Sequence, residues 1–230
     1  MVEHRIERPG LRLRHWPGWL GPAAATDLLG RLQAEVPWQQ EAITLYGRRH
    51  PLPRLTCWMA DPGCSTCYSG LVHAIEPWSP AAEALRQALQ QLTGWRFNSL
   101  LLNRYRDGRD AMGWHADDEP ELDPAVPIAS LSLGAPRDFR LRPRPSPRRR
   151  PGLPVPAGYG DPLAGCVPFN IALRSGDLLL MESPTQQWWQ HAVPRRLRLQ
   201  QERLNLTFRV VRSGVVAADQ SRSKAISREK

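Results

Sequence analysis

Lysine is almost missing from this chain of 230 residues: two of its 31 basic side chains, Lys224 and Lys230, are lysines and all the others are arginines. Guanidinium groups favour planar, paired hydrogen bonds to carboxylate and phosphate, where an ammonium acts as a point charge. Cysteine is also scarce. Four residues, Cys57, Cys64, Cys67 and Cys166, give no disulfide framework for a chain of this size. Cys64-Ser65-Thr66-Cys67 has the spacing of half a zinc site, but no second Cys-x-x-Cys follows, so reduced and mostly unpaired thiols are expected. No apolar run is long enough to cross a bilayer, and the N-terminus opens on charged residues, so neither a membrane span nor a signal peptide is expected. There is no internal repeat.

What the chain does contain is positive charge. A net charge of +9 and a pI near 10.2 favour a polyanionic partner. Arginine and proline enrichment is also what a GC-rich genome produces, so only clustering counts as evidence for binding. One cluster runs from Arg140 through Arg142, Arg144, Arg148, Arg149 and Arg150 to Pro156. Its prolines exclude a regular helix or an internal strand, which makes it a long loop between strands. It reads either as a phosphate contact or as a solvated insertion.

The chemistry concentrates in Gly113-Trp114-His115-Ala116-Asp117-Asp118-Glu119. In an extended segment side chains two apart share a face, so His115 and Asp117 can reach one ion. Two imidazoles and a carboxylate on one face of an iron leave the opposite positions open for co-substrate and O2. Taken alone, His-x-Asp also describes a surface loop. Downstream, Arg203-Leu204-Asn205-Leu206-Thr207-Phe208-Arg209 alternates strictly, with one face apolar and the other polar. That polar face is either the solvated side of an edge strand or, since paired guanidiniums suit a dicarboxylate, a co-substrate wall. Asn103 and Tyr105, also two apart, share a face of a strand that leads into the His115 loop.

At this point Asn103-Arg104-Tyr105-Arg106-Asp107-Gly108, the His115 segment, Ile128-Ala129-Ser130-Leu131-Ser132-Leu133-Gly134, Arg137-Asp138-Phe139, His191 and the Arg203 strand together resemble the AlkB family of Fe(II)/2-oxoglutarate dioxygenases. The match spans residues 40 to 212 in the family's order, and is closest to the homologues that repair alkylated bases in double-stranded DNA. The resemblance implies that His115, Asp117 and His191 ligate Fe(II), and that Asn103, Tyr105, Arg203, Asn205 and Arg209, with Thr207 on the same face, hold 2-oxoglutarate. It further implies oxidative demethylation of N-alkylated bases of the 1-methyladenine and 3-methylcytosine type, releasing succinate, CO2 and formaldehyde. The partner would be DNA, double- or single-stranded, and the protein a monomer in the cytoplasm, nucleoid-associated in a prokaryote or nuclear in a eukaryote. Alternatives within the fold are demethylation of RNA or of a protein side chain, and outside it a non-catalytic module that binds damaged DNA.

A base inside a duplex must be extruded to meet such a site. Cys67-Tyr68-Ser69-Gly70 resembles the family's Phe-Ser-Gly, which makes Tyr68, with Ser69, the candidate to stack on the flipped base opposite His115. Asp118 and Glu119 resemble the acidic pair that addresses the base edge. Thr66 departs from the tyrosine of the double-strand class. Leu45-Tyr46-Gly47, followed by Arg48 and Arg49, resembles a hairpin whose apolar tip enters the duplex, and it also reads as an ordinary surface turn.

The remaining pattern predicts a mainly β, α+β fold: a double-stranded β-helix, or jelly roll, with flanking N-terminal helices. Ser79 to Gly94 has a capping serine, a first-turn proline, helical apolar spacing and a terminal glycine. A second helix is expected over 23 to 36. Strands are expected near 97 to 105, 128 to 133, 137 to 142, 169 to 174, 177 to 182 and 203 to 211, with Ser175-Gly176-Asp177 as a tight turn. Residues 1 to 213 form one domain, an N-terminal extension and nucleotide-recognition region to about 95 followed by the jelly roll from about 96. The polar tail 214 to 230 lacks core-forming residues and is expected to be disordered. Trp114, Trp188 and Trp189 are expected to pack near the site rather than act in it.

Overall fold

A computed structural model describes residues 2–45, 48–64, 67–68, 71–72, 74–146 and 154–212. The chain opens with a hairpin, β1 (His4–Arg8) and β2 (Leu11–Trp16), in which Leu11 and Leu13 alternate with Arg12 and Arg14 and are buried. Helix α1 (Pro22–Glu35) starts on a proline, buries Ala25, Leu28 and Leu32, and ends where Val36 becomes extended. A second hairpin, β3 (Ala42–Leu45) and β4 (Arg48–Pro51), matches the expected position. Its tip, Tyr46 and Gly47, lies outside the described residues, as do Thr66, Ser69, the Arg148 to Arg150 run and the 214 to 230 tail. Strand β5 (Leu55–Ala60) follows, then a short pair, β6 (Cys67–Tyr68) and β7 (Leu71–Val72).

Helix α2 (Pro80–Thr93) forms for the reasons its sequence states. Ser79 Oγ accepts from the Ala82 N–H at 3.3 Å, and Gly94 closes the helix at φ 76°, a left-handed conformation that glycine adopts without steric cost. Ala81, Ala82, Leu85 and Leu89 make its buried stripe. After it come β8 (Ser99–Tyr105), β9 (Met112–His115), β10 (Ile128–Gly134), β11 (Arg137–Pro143), β12 (Phe169–Leu173), β13 (Leu178–Glu182), the single turn α3 (Thr185–Trp188), β14 (Trp189–Val193) and β15 (Arg203–Arg209). The Arg140 cluster is thus not loop from its start: Arg140 and Arg142 lie in β11, because alternating Phe139 and Leu141 bury the strand's other face.

Two antiparallel sheets face each other. The larger has the order β1-β2-β13-β10-β15-β8-β5 and the smaller β12-β11-β14-β9. Residues ahead of 96 therefore supply three strands of the larger sheet, and the expected division near 95 does not coincide with a boundary between sheets. The two helices cover the outside of the larger sheet, where Leu28, Leu32, Leu85 and Leu89 meet Leu100, Leu102, Leu131, Leu204, Leu206 and Phe208. Each fully buried leucine contributes about 1.5–3 kcal/mol. The inner faces of the two sheets share a second core of Leu11, Leu13, Ile128, Phe139, Leu141, Leu179, Met181 and Trp189.

Strand β15 decides where the site sits. It is central, between β10 and β8, and Arg203, Thr207 and Arg209 on its polar face are buried, so that face is not solvated. Leu204, Leu206 and Phe208 join the helix-side core, which turns Arg203, Asn205, Thr207 and Arg209 into the space between the sheets. The register sets Arg203 beside Tyr105 and Asn205 beside Asn103.

Candidate active site

His115 closes β9, and its Cα partner across the small sheet is His191 of β14. The pairing shifts register between His191 and Val193, a bulge that separates Met112, packed on the inner core, from Trp114, which lies against Arg142 on the other side. Asp117 stands just beyond β9. One donor atom from each of His115, Asp117 and His191 falls within 4.8 Å of the others, and among the described residues this is the one such cluster. His115 Nε2 is 4.0 Å from Asp117 Oδ1 and His191 Nε2 is 3.6 Å from Asp117 Oδ2.

The ring nitrogens are already assigned roles. His115 Nδ1 lies 2.9 Å from the Gly113 carbonyl, which makes Nδ1 the protonated nitrogen and turns the Nε2 lone pair toward Asp117. His191 stacks on Phe139 at 4.9 Å between ring centroids. Burial pushes the imidazole of His115 below its usual range, with Arg209 and Arg54 adding to the effect against Asp117 and the Gly113 carbonyl. Burial and His115 bring His191 down to about 3. Burial alone would raise Asp117, but Arg209 and the two imidazoles outweigh it and hold the carboxyl below its usual value. Arg209 Nη2 donates to Asp117 Oδ1 at 2.6 Å. Near neutral pH the cluster is two neutral imidazoles and a carboxylate, the protonation states that a divalent cation requires.

Deeper along the polar face, Arg203 is 1% exposed. Its Nη2 donates to Ser132 Oγ at 2.8 Å, while Nε and Nη1 are buried with no hydrogen-bond partner among the described residues. Burial lowers its pKa to about 10, opposed by the nearby Tyr105, so the group stays cationic at pH 7. Tyr105 itself lies between two guanidiniums, with Arg203 at 5.3 Å and Arg137 at 5.5 Å from its ring centroid. A buried cation with idle donors is costly unless an anion completes it, which is the requirement a dicarboxylate co-substrate meets. Asn103 is buried on the same face. Asn205 and Thr207 are engaged within the protein: Asn205 Nδ2 donates to Ser130 Oγ at 2.8 Å, and Thr207 Oγ1 donates to Asn205 Oδ1 at 3.2 Å.

The acidic pair after Asp117 divides. Asp118 Oδ2 accepts from Arg144 Nη1 at 2.7 Å. Glu119 is pushed up to about 7 by burial and by Asp117, against Arg209, and its Oε2 is buried with no hydrogen-bond partner among the described residues. Both line a cleft shared with Asp117, Ile128, Met181, Gln186 and Arg209. That cleft flanks the metal loop, and neither histidine nor Arg203 borders it. The backbone of Tyr68 lies in β6, and Leu45 ends β3. Cys57, Cys64 and Cys166 are buried free thiols, and burial lifts Cys57 to about 12, which leaves it inert.

Several contributors gave no signal in the sequence. Arg54, 5% exposed, donates through Nε to Asn103 Oδ1 at 2.7 Å across 49 positions. Gln186 accepts the Asp117 N–H. Ser130 and Ser132 could have been found, because they alternate with Ala129, Leu131 and Leu133 as the polar face of β10.

Comparison with known proteins agrees with this geometry. A family model described as the 2OG-Fe(II) oxygenase superfamily matches residues 12–209. The chain is 38% identical over 194 residues to DNA oxidative demethylase ALKBH2 of Mus musculus, covering 83% of this chain and 77% of that protein. It is 37% identical over 194 residues to the protein of the same name from Homo sapiens, covering 83% and 70%. It is 39% identical over 197 residues to Alpha-ketoglutarate-dependent dioxygenase alkB homolog 3 of Rattus norvegicus, covering 85% of this chain and 63% of that one. A solved structure described as that of OsALKBH1 superposes with a TM-score of 0.55 at 19% identity, covering 91% of this chain and all of the other, a likeness of fold.

Proposed function

Since the chain belongs to the 2OG-Fe(II) oxygenase superfamily, and within it to the AlkB-family dioxygenases, we propose that it removes N-methyl groups from 1-methyladenine and 3-methylcytosine type lesions in DNA. The observation that carries the reading is the convergence of His115, Asp117 and His191 beside a buried polar face that ends in Arg203, whose Nε and Nη1 have no hydrogen-bond partner among the described residues. Similarity to proteins named DNA oxidative demethylase supports the nucleic-acid substrate.

Iron, when bound with 2-oxoglutarate and O2, would supply the oxidation that converts an N-methyl group to a hydroxymethyl group lost as formaldehyde, with 2-oxoglutarate going to succinate and CO2. The protein's own part is position and protonation. His115, Asp117 and His191 hold the cation on one face. Arg203, with Tyr105 and Asn103, would receive a carboxylate of the co-substrate, and Arg209 anchors the Asp117 carboxylate. Burial of Asp117, His191, Asn103, Tyr105, Arg203 and Arg209 keeps water from these groups, while His115 stays partly exposed. Glu119, whose Oε2 has no hydrogen-bond partner among the described residues, is the acceptor offered to the base edge, and we assign Tyr68 with Ser69 as the stacking partner of the extruded base.

The test is repair of matched single-stranded DNA, duplex DNA and RNA carrying one methylated base, with iron, 2-oxoglutarate and ascorbate. Formaldehyde and succinate in equal amounts from DNA are expected. Co-substrate turnover without repair of any DNA would reject the substrate assignment, and preference for RNA would move it. We assign Leu45, Tyr46 and Gly47 to duplex entry, so Tyr46→Ala should lose activity on duplex and keep it on single strands. Equal losses on every substrate would reject the wedge.

A further inference from the structure

We propose that Gln186 and Arg144 form a clamp that fixes the metal-ligand loop in its binding conformation before a cation arrives. The inference rests on the reading of His115, Asp117 and His191 as the iron ligands. Asp117 is the only carboxylate of that set, and it stands outside β9, beyond the strand ladder. Its backbone N–H instead donates to Gln186 Oε1 at 2.9 Å. The Gln186 amide is held in that sense, because its Nε2 lies 3.3 Å from Met181 Sδ. The carbonyl of the same Gln186 accepts from Arg144 Nη1 at 2.9 Å, and that nitrogen also donates to Asp118 Oδ2.

Two consecutive residues of the loop are therefore gripped, one by its backbone and one by its carboxylate, and both grips meet at the Gln186–Arg144 contact. Arg144 is itself pinned: its N–H donates to the Trp188 carbonyl at 2.8 Å, and its own carbonyl accepts from the Tyr159 hydroxyl at 2.8 Å. Its side chain is 15% exposed. Neither Gln186 nor Arg144 donates to an Asp117 carboxylate oxygen in any of these bonds, so the clamp orders the ligand without competing for its lone pairs. The root of the arginine and proline segment thereby acquires a role within the site, independent of any phosphate it meets.

Outer partners of metal ligands are typically worth 10–100-fold in affinity. The probe is Co(II), titrated into full-length, metal-free protein and followed by its visible absorption, alongside thermal melting. The parent should bind one Co(II) per chain, and failure to do so would reject the iron-site reading rather than the clamp. In Gln186→Ala and in Arg144→Gln the dissociation constant should rise by roughly 10–100-fold. Gln186→Glu, which keeps an acceptor oxygen at the same reach, should stay near the parent. Unchanged affinity in Gln186→Ala overturns the clamp, and so does a loss in Gln186→Glu equal to that in Gln186→Ala. If Gln186→Ala no longer melts cooperatively, Arg144→Gln decides alone.

Discussion

His115 and His191 are direct partners across the β9–β14 pairing, and their rings meet edge to face with centroids 4.2 Å apart. Two imidazoles this close cannot both carry a proton cheaply. Burial already holds each of them neutral, and each further lowers the tendency of the pair to protonate.

A prediction about protons follows from that pair. His191 and His115 are shifted down, so at pH 7 both are deprotonated, and Asp117 is shifted down, so it is ionised. A divalent cation therefore displaces almost no protons. Calorimetric titration with Mn(II) in buffers of different ionisation enthalpy should give nearly the same heat at pH 7, and affinity should hold as the pH is lowered to about 6, below the unperturbed histidine value of about 6.5. Release of one proton or more at pH 7 would contradict these protonation states.

On the proposed function, Arg203→Met should separate co-substrate binding from stability. The substitution removes charge-assisted hydrogen bonds worth about 1.5–3 kcal/mol, so the apparent KM for 2-oxoglutarate should rise by roughly 10–100-fold. In the absence of co-substrate the same change relieves a buried cation with two idle nitrogens, so the melting temperature should not fall. A fall in melting temperature with unchanged KM would make Arg203 a structural residue only.

Asp177 tests the pH dependence of folding. It accepts from the N–H of Gly18 at 2.8 Å and of Arg174 at 2.9 Å and lies 3.3 Å from His15 Nε2. Burial acts to raise its pKa, but these partners prevail and the carboxyl stays below its unfolded value. A lowered pKa means the unfolded chain binds the proton more readily. The stabilisation is therefore complete above the unfolded value of about 3.9 and is lost as the pH falls through the lower folded value. Denaturant unfolding of Asp177→Asn should show a loss of about 1–3 kcal/mol at pH 7 and a flatter decline in acid. Parallel pH profiles for parent and variant would refute this.

Gly108 marks a close approach of two backbones. It exchanges hydrogen bonds with the 196–199 segment, and a Cβ placed there would lie 1.7 Å from the Arg196 carbonyl oxygen. Gly108→Ala must displace that segment, and a loss of about 1–3 kcal/mol in chemical denaturation is expected, the range of overpacking. A neutral substitution would mean that the segment moves freely.

Much of this was legible before any coordinates. Ser79 and Gly94 bracket α2 as their chemistry requires, and the alternation of Arg203 to Arg209 marks a strand with two unlike faces. What alternation could not say is which side of that strand is covered. The edge-strand reading fails because β10 and β8 flank β15, a long-range fact no local pattern carries. β9 and β14 escaped notice for a different reason: Met112–His115 and Trp189–Val193 are short, and the bulge between them breaks period two. β2 carries its own signal in Leu11-Arg12-Leu13-Arg14, whose alternation marks a strand with one apolar face. Arg54, Arg144 and Gln186 reach the site across tens of residues, by contacts that exist only once the sheets are stacked.

Because β15 lends alternate side chains to the helix-side core and to the site, its register is verified by chemistry. A slip of one residue would drive Arg203, Asn205, Thr207 and Arg209 beneath the helices and expose Leu204, Leu206 and Phe208 to the cation. A slip of one residue therefore cannot leave the protein packed yet miswired. A chain misthreaded by one residue should therefore lose its packing and its site together, and be inactive rather than merely slowed.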